Sequence, residues 1–115
     1  MEIIWSEHFE SDVKYYFKKK RYTKILDDID KAASKLKAGN FIGDKLEGLN
    51  IPANTSAYKV RLPNSSTNVG KSGGFRLLYY VTIADKIYLA KIYSKKDDNR
   101  IPTDAQIVEL INSVL

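Results

Sequence analysis

Apolar and polar residues recur with two different periods along this chain, and the change of period separates helices from strands. Phe9, Val13, Tyr16 and Phe17 fall at helical spacing, so a first helix carries them on one face. A second stripe of Ile25, Leu26, Ile29, Ala32, Ala33 and Leu36 predicts an amphipathic helix from about Thr23 to Ala38, closed by Gly39-Asn40. A cationic break, Lys18-Lys19-Lys20-Arg21, separates the two. Glu2 to Trp5 reads as a short strand ahead of them, with Ser6 as the helix N-cap. Two consecutive amphipathic helices with a short joint predict an αα-hairpin.

A Gly/Asn/Pro-rich connector occupies residues 40–54, and Phe41, Ile42, Leu46 and Leu49 are expected to pin it to the core. After it the period drops to two. Tyr58–Leu62, Gly73–Val81 and Ile87–Lys95 read as strands, and successive side chains on a strand point to opposite faces. Lys59 and Arg61 therefore share one face, with Tyr58, Val60 and Leu62 on the other. Lys91, Tyr93 and Lys95 are expected to align in the same way. A polar Ser/Asn/Gly loop from Pro63 to Gly73 joins the first two strands, and its composition predicts flexibility. Ala84-Asp85-Lys86 marks a hairpin between the last two. Thr103 and Gln106 have capping-box spacing, and Ile107, Leu110, Ile111 and Val114 form the apolar face of a short final helix. The order β-α-α-β-β-β-α predicts one α+β domain over residues 1–115, with helices on an antiparallel sheet and the last helix covering Leu78, Ile87 or Leu89.

Charge sharpens this picture. The chain of 115 residues has a formal net charge of +5. Residues 55–100 hold nine Lys/Arg against three acids, residues 1–54 ten against nine, and residues 101–115 none against two. The excess positive charge lies in the strand-rich part, an arrangement suited to polyanions and especially to phosphate. The absence of cysteine excludes disulfides and thiolate chemistry and fits a reducing compartment. The N-terminus does not read as a signal peptide, and no stretch reaches membrane-spanning length, so a cytoplasmic protein with no membrane partner is expected. No His, Asp or Glu spacing predicts a metal site, and no P-loop or dinucleotide fingerprint predicts a cofactor. His8 is the lone histidine and is expected on a helix surface.

The stretch Gly70-Lys71-Ser72-Gly73-Gly74-Phe75-Arg76-Leu77-Leu78-Tyr79-Tyr80, with Tyr58–Leu62 before it and Ile92-Tyr93-Ser94-Lys95-Lys96 after it, resembles toxins of the RelE/ParE superfamily of type II toxin–antitoxin systems. It is most similar to the HigB-like and RelE-like branch. That resemblance implies an N-terminal helical hairpin packed on a curved antiparallel sheet, followed by a C-terminal helix. It implies a toxin that cleaves mRNA in the ribosomal A site without metal or other cofactor. Its partners would be the ribosome, mRNA and a cognate antitoxin, in a toxin–antitoxin hetero-oligomer.

RNA is cut without metal when its own 2′-hydroxyl attacks the adjacent phosphorus. One proton must leave, the phosphorane must be stabilised and the 5′-oxygen must be protonated. A single histidine cannot provide a His pair, which leaves lysine, arginine and tyrosine. The resemblance assigns Lys59 a basic catalytic role, favoured if neighbouring cations and partial desolvation act on it. Arg61 and Arg76 would bind the scissile phosphate. Lys95 or Lys96 would sit near the leaving group, and Tyr93 would stack on a base or donate a proton. Lys71 and Lys91 would contact RNA. Some relatives carry a tyrosine near the C-terminal helix, whereas residues 97–115 here contain none. Other readings stand beside these. The cations could be the solvated face of a half-buried sheet, with Arg76 paired to Asp85 or Glu47. The chain could be a ParE-like inhibitor of a protein such as DNA gyrase, or an inactive phage-derived binding module.

Overall fold

The computed structural model describes residues 1–113, so Val114 of the expected apolar face lies outside the described residues. The elements are β1 (Glu2–Trp5), α1 (Glu7–Lys14), a π-helical turn (Tyr15–Lys19), α2 (Ile25–Lys37), β2 (Asp44–Lys45), β3 (Ser56–Leu62), β4 (Phe75–Val81), β5 (Lys86–Ser94), a 3-10 turn (Asp98–Arg100) and α3 (Asp104–Asn112). The α+β class holds. The chain opens on a strand rather than on the helical hairpin, and the sheet is mixed rather than purely antiparallel. Its order is β1-β5-β4-β3-β2, with β1 parallel to β5 and the other pairs antiparallel. The two-residue β2 was not expected; only Asp44 and Lys45 of the connector pair with β3.

The helix boundaries follow local chemistry. Ser6 accepts from the Phe9 N–H and starts α1. Gly39 at φ +86° lets its own N–H reach the Leu36 carbonyl and the Asn40 N–H reach that of Lys35, a Schellman ending to α2. Thr103 and Gln106 form the reciprocal capping box of α3. The apolar faces are narrower than the spacing predicts. Ile25, Ile29, Ala32 and Leu36 are buried, whereas Leu26 is 45% exposed on the flank of that stripe. Phe17 is also exposed, because the wide π turn carries it past the core that takes Tyr16.

Both faces of the sheet are covered. The larger core lies between the sheet and α1–α2, where Phe9, Tyr16, Ile29 and Leu36 meet Leu77, Tyr79, Leu89 and Ile92. The smaller core lies under α3, where Ile107 and Ile111 meet Ala57, Leu78, Tyr80, Ala90 and Tyr93. The last helix therefore covers Leu78 as expected, but Ile87 and Leu89 belong to the opposite core. Cover on both faces explains why β4 is apolar almost throughout, with Tyr79 and Tyr80 buried on opposite sides.

The join between helices and sheet is polar. β1 pairs with β5 only as far as Leu89, leaving the next stretch of that edge without a strand. Side chains from the α1 region take over at every second residue. Ser6 Oγ donates to the Ala90 carbonyl (3.2 Å), Asp12 Oδ2 accepts from the Ile92 N–H (3.1 Å), and the Tyr16 hydroxyl accepts from the Ser94 N–H (2.8 Å). Tyr16 donates onward to Asp97 (2.9 Å). Asp12 also holds Lys91 and Arg100, and the Arg100 guanidinium lies 3.9 Å above the Tyr15 ring. A buried carboxylate that serves two cations and a strand amide cannot be removed without stranding all three.

Asp12→Ala is expected to lower the unfolding free energy by about 3 to 5 kcal/mol, measured by urea denaturation; an unchanged midpoint would contradict this role. Burial holds the Tyr16, Tyr79 and Tyr80 hydroxyls well above the ordinary tyrosine value of 10.0. The unfolded chain therefore ionises first and binds fewer protons than the folded one as pH rises past that value. Stability contributed by these neutral phenols is present below pH 10.0 and is lost above it, toward the raised folded values. Denaturant midpoints that stay flat from pH 9 to 11 would contradict this.

Candidate functional site

Strand register brings together residues that are distant in sequence. Arg61 of β3 stands opposite Arg76 of β4, and Arg76 stands opposite Tyr93 of β5. The three form one row across the sheet on the α3 side, with neighbouring Cα atoms about 5 Å apart. Lys59 belongs to the next row, opposite Leu78. Lys95 follows β5 and donates its N–H to the Gly74 carbonyl at the same end of the sheet. Lys59, Arg61, Lys95 and Lys96 are all exposed. The partial desolvation expected for Lys59 is therefore absent.

Arg76 differs from the others. It is only 7% exposed, and its guanidinium is committed to backbone carbonyls. Nη1 donates to Lys71 O (3.0 Å) and Phe75 O (3.2 Å), and Nη2 donates to Ser72 O (3.1 Å). The expected ion pair to Asp85 or Glu47 is not formed; among the described residues both ion pairs end on Asp12. Arg76 is thus the internal tie of the loop before β4, beside an exposed Arg61. Burial, and then the Arg61 charge, lower its pKa from the ordinary arginine value. Burial raises the Tyr93 hydroxyl above its ordinary range, with Arg76 pulling the other way. Tyr93 is therefore a hydrogen-bond donor at neutral pH rather than a base.

Glycine makes this packing feasible. A Cβ on Gly74 would collide with the Leu62 carbonyl oxygen and crowd the backbone of Pro63 and Asn64. The loop from Pro63 to Gly73 is more restrained than its composition predicts. Asn64 and Val69 exchange both backbone hydrogen bonds, Ser65 donates twice to the buried Asp28, and Ser66 Oγ accepts from the Lys24 N–H.

Lys91 does not join the row. The register shifts in β5, so that Leu78 faces Lys91 while the next residue, Tyr79, faces Leu89. The extra residue is Ala90, beyond Lys91, so Lys91 and Tyr93 stand opposite Leu78 and Arg76 and share the α3 face as the alternation predicts. Lys91 Nζ instead lies 3.4 Å from Asp12 Oδ1. It lines a hollow between α1 and α3 with the exposed His8 and with Arg100.

A cleft of roughly 580 Å³ runs beside β3, lined by Lys59, Arg61 and Lys71, and by Lys31 and Lys35 of α2. The two α2 lysines are absent from the sequence-based site. Their signal was the spacing of four residues on the polar face of α2, but only the packing of α2 on the sheet shows what that face meets.

No protein-family model matches this chain, and no curated protein or solved structure matches it. Among the described residues, no helix is long and apolar enough to cross a membrane.

The carbonyl cluster around Arg76 needs a planar fork of donors, which lysine lacks. Arg76→Lys is expected to raise the hydrogen-exchange rates of the Gly73 and Lys95 amides by about tenfold, roughly 1.4 kcal/mol of lost local protection. Arg61→Ala should leave both amides unchanged. Equal effects of the two substitutions would remove the distinction between tie and surface charge.

Proposed function

We propose that this chain is a toxin of the RelE/HigB kind, a ribosome-dependent, metal-independent mRNA endonuclease held in check by an antitoxin. The observation that carries this reading is the row Arg61–Arg76–Tyr93 with Lys59 and Lys95 at its margins, whose cations form no ion pair with an acid among the described residues. A cationic cluster of this kind has a strong electrostatic demand for a phosphate.

In this reading a phosphodiester lies over the row. The 2′-oxygen loses its proton to Lys59 in its neutral form as it bonds to phosphorus. Arg61 holds the non-bridging oxygens and meets the charge of the phosphorane. The bond to the 5′-oxygen breaks as that oxygen gains a proton from Lys95 or Lys96. Tyr93 donates a hydrogen bond to the same phosphate. Arg76, already bound to three carbonyls, acts through position: it fixes the loop that presents Lys71 and keeps positive charge behind Arg61. This revises the expectation that Arg76 binds the scissile phosphate together with Arg61. The exposed cations imply RNA affinity that falls as salt rises.

The engagement of Arg76 also favours a second reading, a ParE-like toxin that binds a protein target without cutting RNA. In that case the row is structural and Lys59 and Arg61 are contact residues.

Translating ribosomes with a defined message separate the two. The wild-type protein is expected to give A-site cleavage products. Lys59→Ala and Arg61→Ala should each lower the rate by about a hundredfold, the usual scale for one proton-transfer or charge-stabilising group. Tyr93→Phe keeps a stacking surface and loses the donor, so a large loss assigns Tyr93 to the phosphate. Absence of cleavage by folded protein would sink the nuclease reading. Toxicity that persists in the Lys59→Ala, Arg76→Ala double variant, with RNA intact, would favour the protein target.

A further inference from the structure

The cleft beside β3 leads away from the row Arg61–Arg76–Tyr93 but shares Arg61 with it, and Lys59 at its margin. β2 pairs with β3 only at Tyr58 and Lys59, so the β3 edge beyond Lys59 has no strand partner. Lys59 and Arg61 reach this edge from the α3 side, Lys31 and Lys35 from α2, and Lys71 from the loop tied by Arg76. Five cations from three separate segments thus face one groove. Of the two acids that line it, Asp28 is buried and holds Ser65, which leaves Asp44 as the exposed counter-charge.

We propose that this groove is a second binding site, a track for the sugar-phosphate backbone of single-stranded RNA that leads around the open edge of β3 to Arg61. The inference rests on the reading that the chain handles RNA, and it adds Lys31, Lys35 and Lys71 to the residues that hold it. Lys31 and Lys35 are one helical turn apart, about 6 Å along the axis. Lys59 and Arg61 are two strand residues apart, about 7 Å. Each wall therefore repeats positive charge on the scale of successive backbone phosphates. The groove offers little to a peptide. A docked strand needs apolar pockets for alternate side chains, whereas Ala32, Val60 and Leu62 in this groove are already buried by their own chain. The accessible groups are ammonium and guanidinium, which recognise phosphate without regard to base.

The test is binding of a fluorescent 12-nucleotide oligo(U), 2′-O-methylated so that it cannot be cut, by full-length protein across a salt series. Each phosphate contact contributes about 0.7 to the slope of log affinity against log salt for a single strand. The Lys31→Ala, Lys35→Ala double variant is expected to bind about tenfold more weakly at low salt and to lose about 1.4 from that slope. Lys31→Arg, Lys35→Arg should restore most of both. Both lysines are exposed, and an unchanged thermal midpoint serves as the folding control. An unchanged affinity and slope in the alanine variant, with binding still lost in Arg61→Ala, would overturn the track and leave the nuclease reading standing. A full effect in a protein that cuts no message would keep the track and remove the nuclease. Loss of polyglutamate binding with RNA binding intact would assign the groove to an acidic polypeptide and overturn the proposal.

Discussion

The unpaired stretch of the β5 edge is the constraint on which the rest depends. β1 is four residues long and leaves β5 without a strand partner on that side beyond Leu89. Three polar side chains of the α1 region complete the ladder instead, at Ala90, Ile92 and Ser94. Buried backbone amides without partners are costly, so this substitution determines how the helices dock. It also requires the helix to distort. The π turn at Tyr15–Lys19 places Tyr16 where its hydroxyl meets the Ser94 N–H and leaves Phe17 outside.

The candidate site inherits its geometry from that docking. Tyr93 and Lys95 flank Ser94, whose amide Tyr16 holds. The unbroken register from Lys91 to Ser94 keeps Tyr93 beside Arg76, while Lys91, two residues back on the same face, pairs with Asp12. From the other side, Gly74 allows β4 to start against the backbone of Leu62 to Asn64, and Arg76 gathers the loop carbonyls. Fixed backbone on both sides leaves Arg61 and Lys59 as the exposed cations beside a rigid frame. Sites that depend on developing charge benefit from such preorganisation.

Much of the fold was legible from periodicity. The strand at Glu2–Trp5, both caps, the Gly39 ending and the three long strands all lie close to where apolar spacing and turn residues put them. These are local signals with local causes. What remained hidden depends on distant partners. The parallel pairing of β1 with β5, the two-residue β2 and the β5 bulge have no local signature strong enough to read. Site residues divide the same way. Alternation on β3 correctly put Lys59 and Arg61 on one face, and Gly74, before Phe75, is where the backbone comes close to Leu62 and Asn64. Alternation also put Lys91 on the face of Tyr93, but it could not show that the Lys91 ammonium is taken by Asp12. It could not find Lys31 and Lys35, since a solvated lysine face looks the same whether it meets water or a cleft. The burial of Arg76 was equally invisible, because its partners are carbonyls, which every residue carries.

The central proposal is that this chain cuts RNA with lysine, arginine and tyrosine side chains, using the 2′-hydroxyl as nucleophile. The ends of the cleaved message test it most directly. Mass spectrometry of products formed on ribosomes, with Mg²⁺ present only for ribosome integrity and the isolated protein pretreated with EDTA, should find 2′,3′-cyclic phosphates and 5′-hydroxyls. Products bearing 3′-hydroxyls and 5′-phosphates would require water as the nucleophile and would contradict the account.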